Sequence, residues 1–136
     1  MADFLVFDEG ARELLNNGLP ATCYFLLSSK SVAATSPFNG TETLAGATLG
    51  EITGTGYARK NQAEPSAASR TVGFVQMNWA TGTSTDWPAT VRSVLLVTHA
   101  TTAGYAICAW NLQAGGAARD MSGANTTLYV TPTVSA

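Results

Sequence analysis

Two stretches near the C-terminal third decide the reading of this chain: VRSVLLVTH at 91–99 and GYAICAWNL at 104–112. Each is an apolar run of strand length, rich in β-branched and aromatic residues. Only Ala100–Ala103, ATTA, lies between them. Two such runs joined by so short a polar link predict an antiparallel hairpin. Working outward, TCYFLLSS at 22–29 predicts a strand buried on both faces. TVGFVQMNW at 71–79 predicts an alternating strand, with Val72, Phe74, Gln76 and Asn78 on one side and Val75, Met77 and Trp79 on the other. A strand is expected over 57–61, and a last one over 126–133, TTLYVTPT, whose Pro132 belongs at an edge.

One helix is expected, over 8–17, DEGARELLNN. Asp8 is placed to cap it, Glu9 suits its positive end, and Gly18 and Pro20 stop it. Ala11, Leu14 and Leu15 share one face. The fold class that follows is mainly β: a β-sandwich or small open barrel with one short N-terminal helix. The 136 residues read as a single domain with an N-terminal arm and helix over 1–18.

The stretch 30–56 is different. It is rich in Ser, Thr, Gly and Ala, and its large side chains are few: Phe38, Leu44, Leu49 and Ile52. So long an excursion seldom lacks a task. It is expected to lie extended on a neighbouring surface, with a short helical turn or strand near 42–52. The run Phe4-Leu5-Val6-Phe7 is either an extra core strand or a second such arm. Trp87, beside Pro88 in a polar loop, is the candidate exposed anchor, packing on a neighbouring subunit or back on its own domain. Phe4, Leu5, Phe7, Phe38, Leu44, Leu49 and Trp87 are therefore the candidate interface residues. Trp79 and Trp110 lie in strands and are expected in the core.

Charged residues make up 12% of the chain, against about 25% in an ordinary domain. A free monomer solvates itself with charge, so a low share suits a subunit that buries surface in an assembly. Hydrophobic residues are 46%, which excludes wholesale disorder. The net charge is −2 and the seven basic residues are scattered, with only Arg59 and Lys60 adjacent. No nucleic-acid footprint or polybasic membrane patch is expected. No apolar run reaches membrane-spanning length, and the start lacks the basic region of a secretory signal, which points to synthesis in the cytosol.

Catalytic signals are sparse. His99 is the single histidine, and no nucleophile motif accompanies it. Gly54-Thr55-Gly56 opens like a dinucleotide fingerprint, but Arg59 stands where the third glycine belongs, so a turn is expected. Asp120–Asn125 has one carboxylate where a calcium loop uses several. The acids Glu42, Glu51, Glu64 and Asp86 are isolated in sequence. Cys23 and Cys108 read as two buried free thiols, with a single disulfide the alternative. No catalytic residue, metal site or cofactor is expected.

Taken in order, the Leu14-Leu15 helix, the strand YFLL (24–27), EITGTGYARK (51–60), VGFVQMNW (72–79), WPATV (87–91), SVLLV (93–97) and GYAICAW (104–110) resemble a group of small phage virion proteins. That group tends to show a Glu…Gly-Tyr-Ala-Arg segment like the one ending at Arg59. Its members serve as head-decoration or minor tail proteins. The roomy 30–50 stretch departs from the group and leaves open which surface it covers. The resemblance implies a virion structural protein, not an enzyme, most concretely a capsid decoration subunit. Its partners would be the major capsid protein, or tail proteins, and other copies of itself. A tail-tip or fibre-base protein and a host-glycan-binding module are the alternatives.

Overall fold

A computed structural model describes every residue except 1, 2, 34, 35, 47, 66, 69, 70, 102 and 136, and of 67, 68 and 135 the backbone alone. Its elements are β1 (Phe4–Val6), α1 (Asp8–Asn17), β2 (Thr22–Ser28), β3 (Lys60–Ala63), β4 (Ala67–Ala68), β5 (Thr71–Gly73), β6 (Met77–Ala80), β7 (Ser93–Val97), β8 (Ala106–Asn111), β9 (Thr127–Val130) and β10 (Thr133–Ser135). The fold is mainly β with one α-helix, as the sequence predicts.

The hairpin at 91–112 forms the middle of an antiparallel five-stranded sheet, in the order β1-β8-β7-β2-β3. The sheet is open; it does not close into a barrel. Both its faces are buried. Phe25, Leu27, Val94, Leu96 and Cys108 join one core with Met77, Trp79 and Leu128. Leu26, Leu95, Val97 and Ala109 join a second with Phe7, Phe38, Leu44 and Leu49. Alternate residues of a strand point to opposite faces, so VLLV at 94–97 has to be apolar throughout, while buried Ser93 donates its hydroxyl to the Lys30 carbonyl.

The layer over the first face comes from two small antiparallel sheets, β10-β5-β4 and β6-β9. They share one interrupted ladder. Thr71, Val72 and Gly73 pair with Ser135, Val134 and Thr133, while Met77 to Ala80 pair with Val130 to Thr127. Residues 74–76 separate the paired stretches on one chain and 131–132 on the other, so one side carries an extra residue. An extra residue flips the alternation. Val72, Phe74, Met77 and Trp79 therefore all join the core, and Val75 is turned out at 68% exposure. The unbroken alternation expected over 71–79 is corrected accordingly. Pro132 interrupts the ladder because it has no N–H, although its carbonyl still accepts from the Phe74 N–H at 3.0 Å. The Gln62 side chain on β3 closes the gap: its Oε1 accepts from the Val75 N–H at 2.9 Å and its Nε2 donates to the Val75 carbonyl at 3.2 Å.

The helix sits where expected, but its start differs. Phe7 is the N-cap residue and Asp8 is already helical, with its N–H donating to the Gly40 carbonyl at 2.9 Å. Asp8 and Glu9 still favour the positive end. Gly18, at φ 74°, ends the helix with its N–H on the Leu14 carbonyl. Phe4–Val6 form edge strand β1, paired with β8, and Phe7 leads into the helix, so the run packs on its own sheet with Phe4 and Leu5 half-buried. The strand expected over 57–61 lies instead at Lys60–Ala63, because Gly54–Tyr57 forms a turn. Cys23 and Cys108 are free, buried thiols.

Candidate functional site

Most of the interface candidates turn inward. Phe7, Phe38, Leu44, Leu49 and Trp87 are buried in the chain's own core, while Phe4 and Leu5 are half-buried on edge strand β1. The described residues of the 30–56 excursion fold back on the chain as a strap: Phe38 to Leu49 lie across the second face of the central sheet, and Ile52 joins the core on the first. Its own apolar side chains explain this: Phe38, Leu44 and Leu49 cover Leu26, Leu95 and Val97. Covering an intramolecular face removes them from any docking surface, which corrects the expectation that they contact a neighbour.

Carboxylates hold the strap along its length. Glu9 Oε1 accepts from the Leu44 N–H at 2.8 Å and from the Ala106 N–H at 2.6 Å, which ties helix, strap and sheet at one atom. Glu42 accepts from the Asn39 and Gly40 N–H groups and lies 3.6 Å from the Lys30 ammonium. Burial pushes the Glu42 carboxyl up, but these N–H groups and Lys30 outweigh it and hold the carboxyl below its ordinary range.

Glu51 organises the Glu…Gly-Tyr-Ala-Arg segment. Both its oxygens meet Arg59, and Oε1 also accepts from the Tyr57 hydroxyl at 3.0 Å. The Tyr57 oxygen in turn accepts from the Leu27 N–H at 3.0 Å. Arg59 Nη1 donates onward to the carbonyls of His99 and Thr101 in the hairpin turn. Burial raises the Tyr57 phenol far above its usual value, and Glu51 adds to that. The bond to Glu51 pushes the Arg59 guanidinium above its ordinary value against the opposing effect of burial. Glu42 and Glu51 do meet partners in space, but every group in the Glu51 cluster already serves another. The arrangement suits a clasp between strap end and hairpin.

Trp87 belongs to the same corner. Its Nε1 donates to the Thr55 carbonyl at 2.8 Å and its ring stands edge-on to Tyr57, with centroids 5.6 Å apart. A Cβ at Gly54 would run into the indole, so Gly54-Thr55-Gly56 is the expected turn, shaped to seat a tryptophan. Asp86 fastens it from the other side, accepting from both the N–H and the hydroxyl of Thr55. A buried ring with its N–H engaged offers no platform to a sugar.

His99 keeps its Nδ1 2.8 Å from the Thr98 hydroxyl. Among the described residues, no three His, Cys, Asp or Glu side chains gather as a metal site. Burial pushes the Cys23 thiol up to about 11, aided by Glu64, and raises Cys108 further.

The surface feature that sequence reasoning missed is the outer face of the second layer. Thr71, Gly73, Gln76, Asn78 and Ala80 point outward along one run, and Tyr129, Thr131 and Thr133 along the other, with Thr127 half-buried. None of these nine positions is charged. Tyr129 stands directly across from Asn78 and is 62% exposed, with exposed Val75 on the neighbouring break. The alternation within TLYV carried a signal for it, but only the ladder shows that both runs share one face. Comparison with family models, curated proteins and solved structures finds no match to this chain.

Proposed function

We propose that this chain is a non-catalytic structural subunit of a bacteriophage virion, a decoration protein that cements the head shell. One observation carries the reading: the uncharged outer face built from β5, β6, β9 and β10 around Tyr129. An exposed sheet face free of charge across nine positions desolvates cheaply. Tyr supplies a large, stiff contact of the kind that anchors interfaces. The low overall charge and the ordered resemblance to small virion proteins support the same reading. The partner on this reading is the major capsid protein, with other copies of this chain beside it. The protein would be assembled onto particles in the bacterial cytoplasm.

Cementing needs rigid contact surfaces, and the clasped strap supports that. With both faces of the central sheet covered internally, the second layer's outside is a sheet face that remains open to a partner.

Quantifying the protein on purified particles of the phage that carries it tests the proposal. Many copies distributed over the head support decoration. A few copies at one pole replace it with the tail-tip or fibre-base reading. Absence from particles refutes both.

A further inference from the structure

Apart from any assembly role, we infer that the protein binds one uncharged, apolar small molecule in the cavity beneath β5 and β10. The cavity measures about 360 Å³, within the size range of small-molecule sites. Leu96, Ile107 and Cys108 of the central sheet form its floor, and Val72 and Val134 of the second layer face them. Val6 and Leu14 stand at its sides.

Local structure builds this space. Leu96 pairs with Cys108 but Val97 with Ala106, so Ile107 is an extra residue in β8. A bulge of this kind re-aims a side chain, and Ile107 joins Cys108 on the first-face core. Gly10 then lets the helix lie directly on the bulge, since a Cβ there would meet the Ile107 and Ala106 backbone. Phe4 and Leu19 complete the wall, and the two side chains that the second layer turns toward the floor, Val72 and Val134, are short. The space opens to solvent past Val6, and Phe4, Leu14, Leu19, Val72 and Val134 are only partly buried, so apolar surface is left against water and without packing partners. An occupant supplies them.

The lining selects the occupant's chemistry. No charged side chain and no strong hydrogen-bonding side chain faces the cavity. Water needs two to four polar partners, which are lacking. A peptide segment would bring backbone N–H and C=O groups with nothing to pair them. An ion would lose its hydration uncompensated. An uncharged hydrocarbon-like molecule meets none of these costs, and the soft Cys108 sulfur suits it.

The probe is p-xylene, with p-toluate as its charged counterpart of similar shape, read by methyl NMR of the whole chain. Saturable shifts at the Val72, Val134 and Ile107 methyls with p-xylene, and none with p-toluate, are expected. Val134→Trp fills the cavity and should weaken binding roughly tenfold or more. Leu14→Trp fills it from the helix side and reads the same property should the first variant misfold. Absence of saturable shifts, equal binding of p-toluate, or binding unchanged in a folded filling variant overturns the inference.

Discussion

Arg59 meets both carboxylate oxygens of Glu51, through Nε at 2.9 Å and through Nη2 at 2.7 Å. That two-point contact fixes the end of the strap against the hairpin turn, because the same guanidinium also reaches the His99 and Thr101 carbonyls. Lysine has one donor centre and cannot reproduce the fork. Arg59→Lys should lower unfolding free energy by about 1–2 kcal/mol, measured by urea titration. Tyr57→Phe should cost a similar amount by leaving the Leu27 N–H unpaired. Wild-type stability in both variants would show that the clasp is decorative.

Gly10 is required by space, not by φ. Gly10→Ala places a methyl group against the Ile107 backbone and should destabilise by about 1–3 kcal/mol, whereas alanine in an ordinary helix stabilises. The sign of the shift in thermal midpoint decides the matter; an increase would mean that the helix does not rest on the bulge.

Glu42 makes the strap sensitive to acid. Its carboxyl is held below the ordinary value of about 4.3, so the charged form is favoured in the folded state. The stabilisation is fully present above that value and is lost as pH falls through the lower folded one. The stability difference between wild type and Glu42→Gln should therefore be largest near neutrality and shrink below about pH 4. Urea titrations at neutral and acid pH measure it, and a pH-independent difference would contradict the mechanism.

The hairpin, the helix and the doubly buried strand β2 were legible because apolar period and length alone define them. The break at 74–76 was not. Nothing in TVGFVQMNW signals an extra residue; the slip exists only relative to the partner run, and Pro132, its visible cause, lies far along the chain. The strap was legible as an excursion but not in its direction. Phe38, Leu44 and Leu49 are as suited to a neighbour's surface as to their own sheet, and what decides is the anchoring of Leu44 by Glu9, a contact 35 residues apart in sequence. The uncharged outer face was hidden for a similar reason, since β5 and β6 meet β9 and β10 only through long-range pairing.

Gln62 should control the break between β5 and β6. Gln62→Ala removes both bonds to the Val75 backbone and leaves an exposed, unpaired peptide. Amide exchange at Val75 should accelerate while that of Leu95 in the central sheet stays unchanged. Equal exchange at Val75 in both proteins would show that the side chain does not hold the break.

The cementing role is tested by the temperature at which heads release their genome, compared with and without this protein. A subunit that binds only the assembled shell stabilises that shell by mass action. Heads lacking it should keep their geometry yet release DNA at lower temperature. Adding the wild-type chain back should restore the higher temperature with little dependence on salt, since the contact face is uncharged. Tyr129→Arg, which puts a charge in the middle of that face, should fail to restore it. An identical release temperature with and without the protein would contradict the decoration reading.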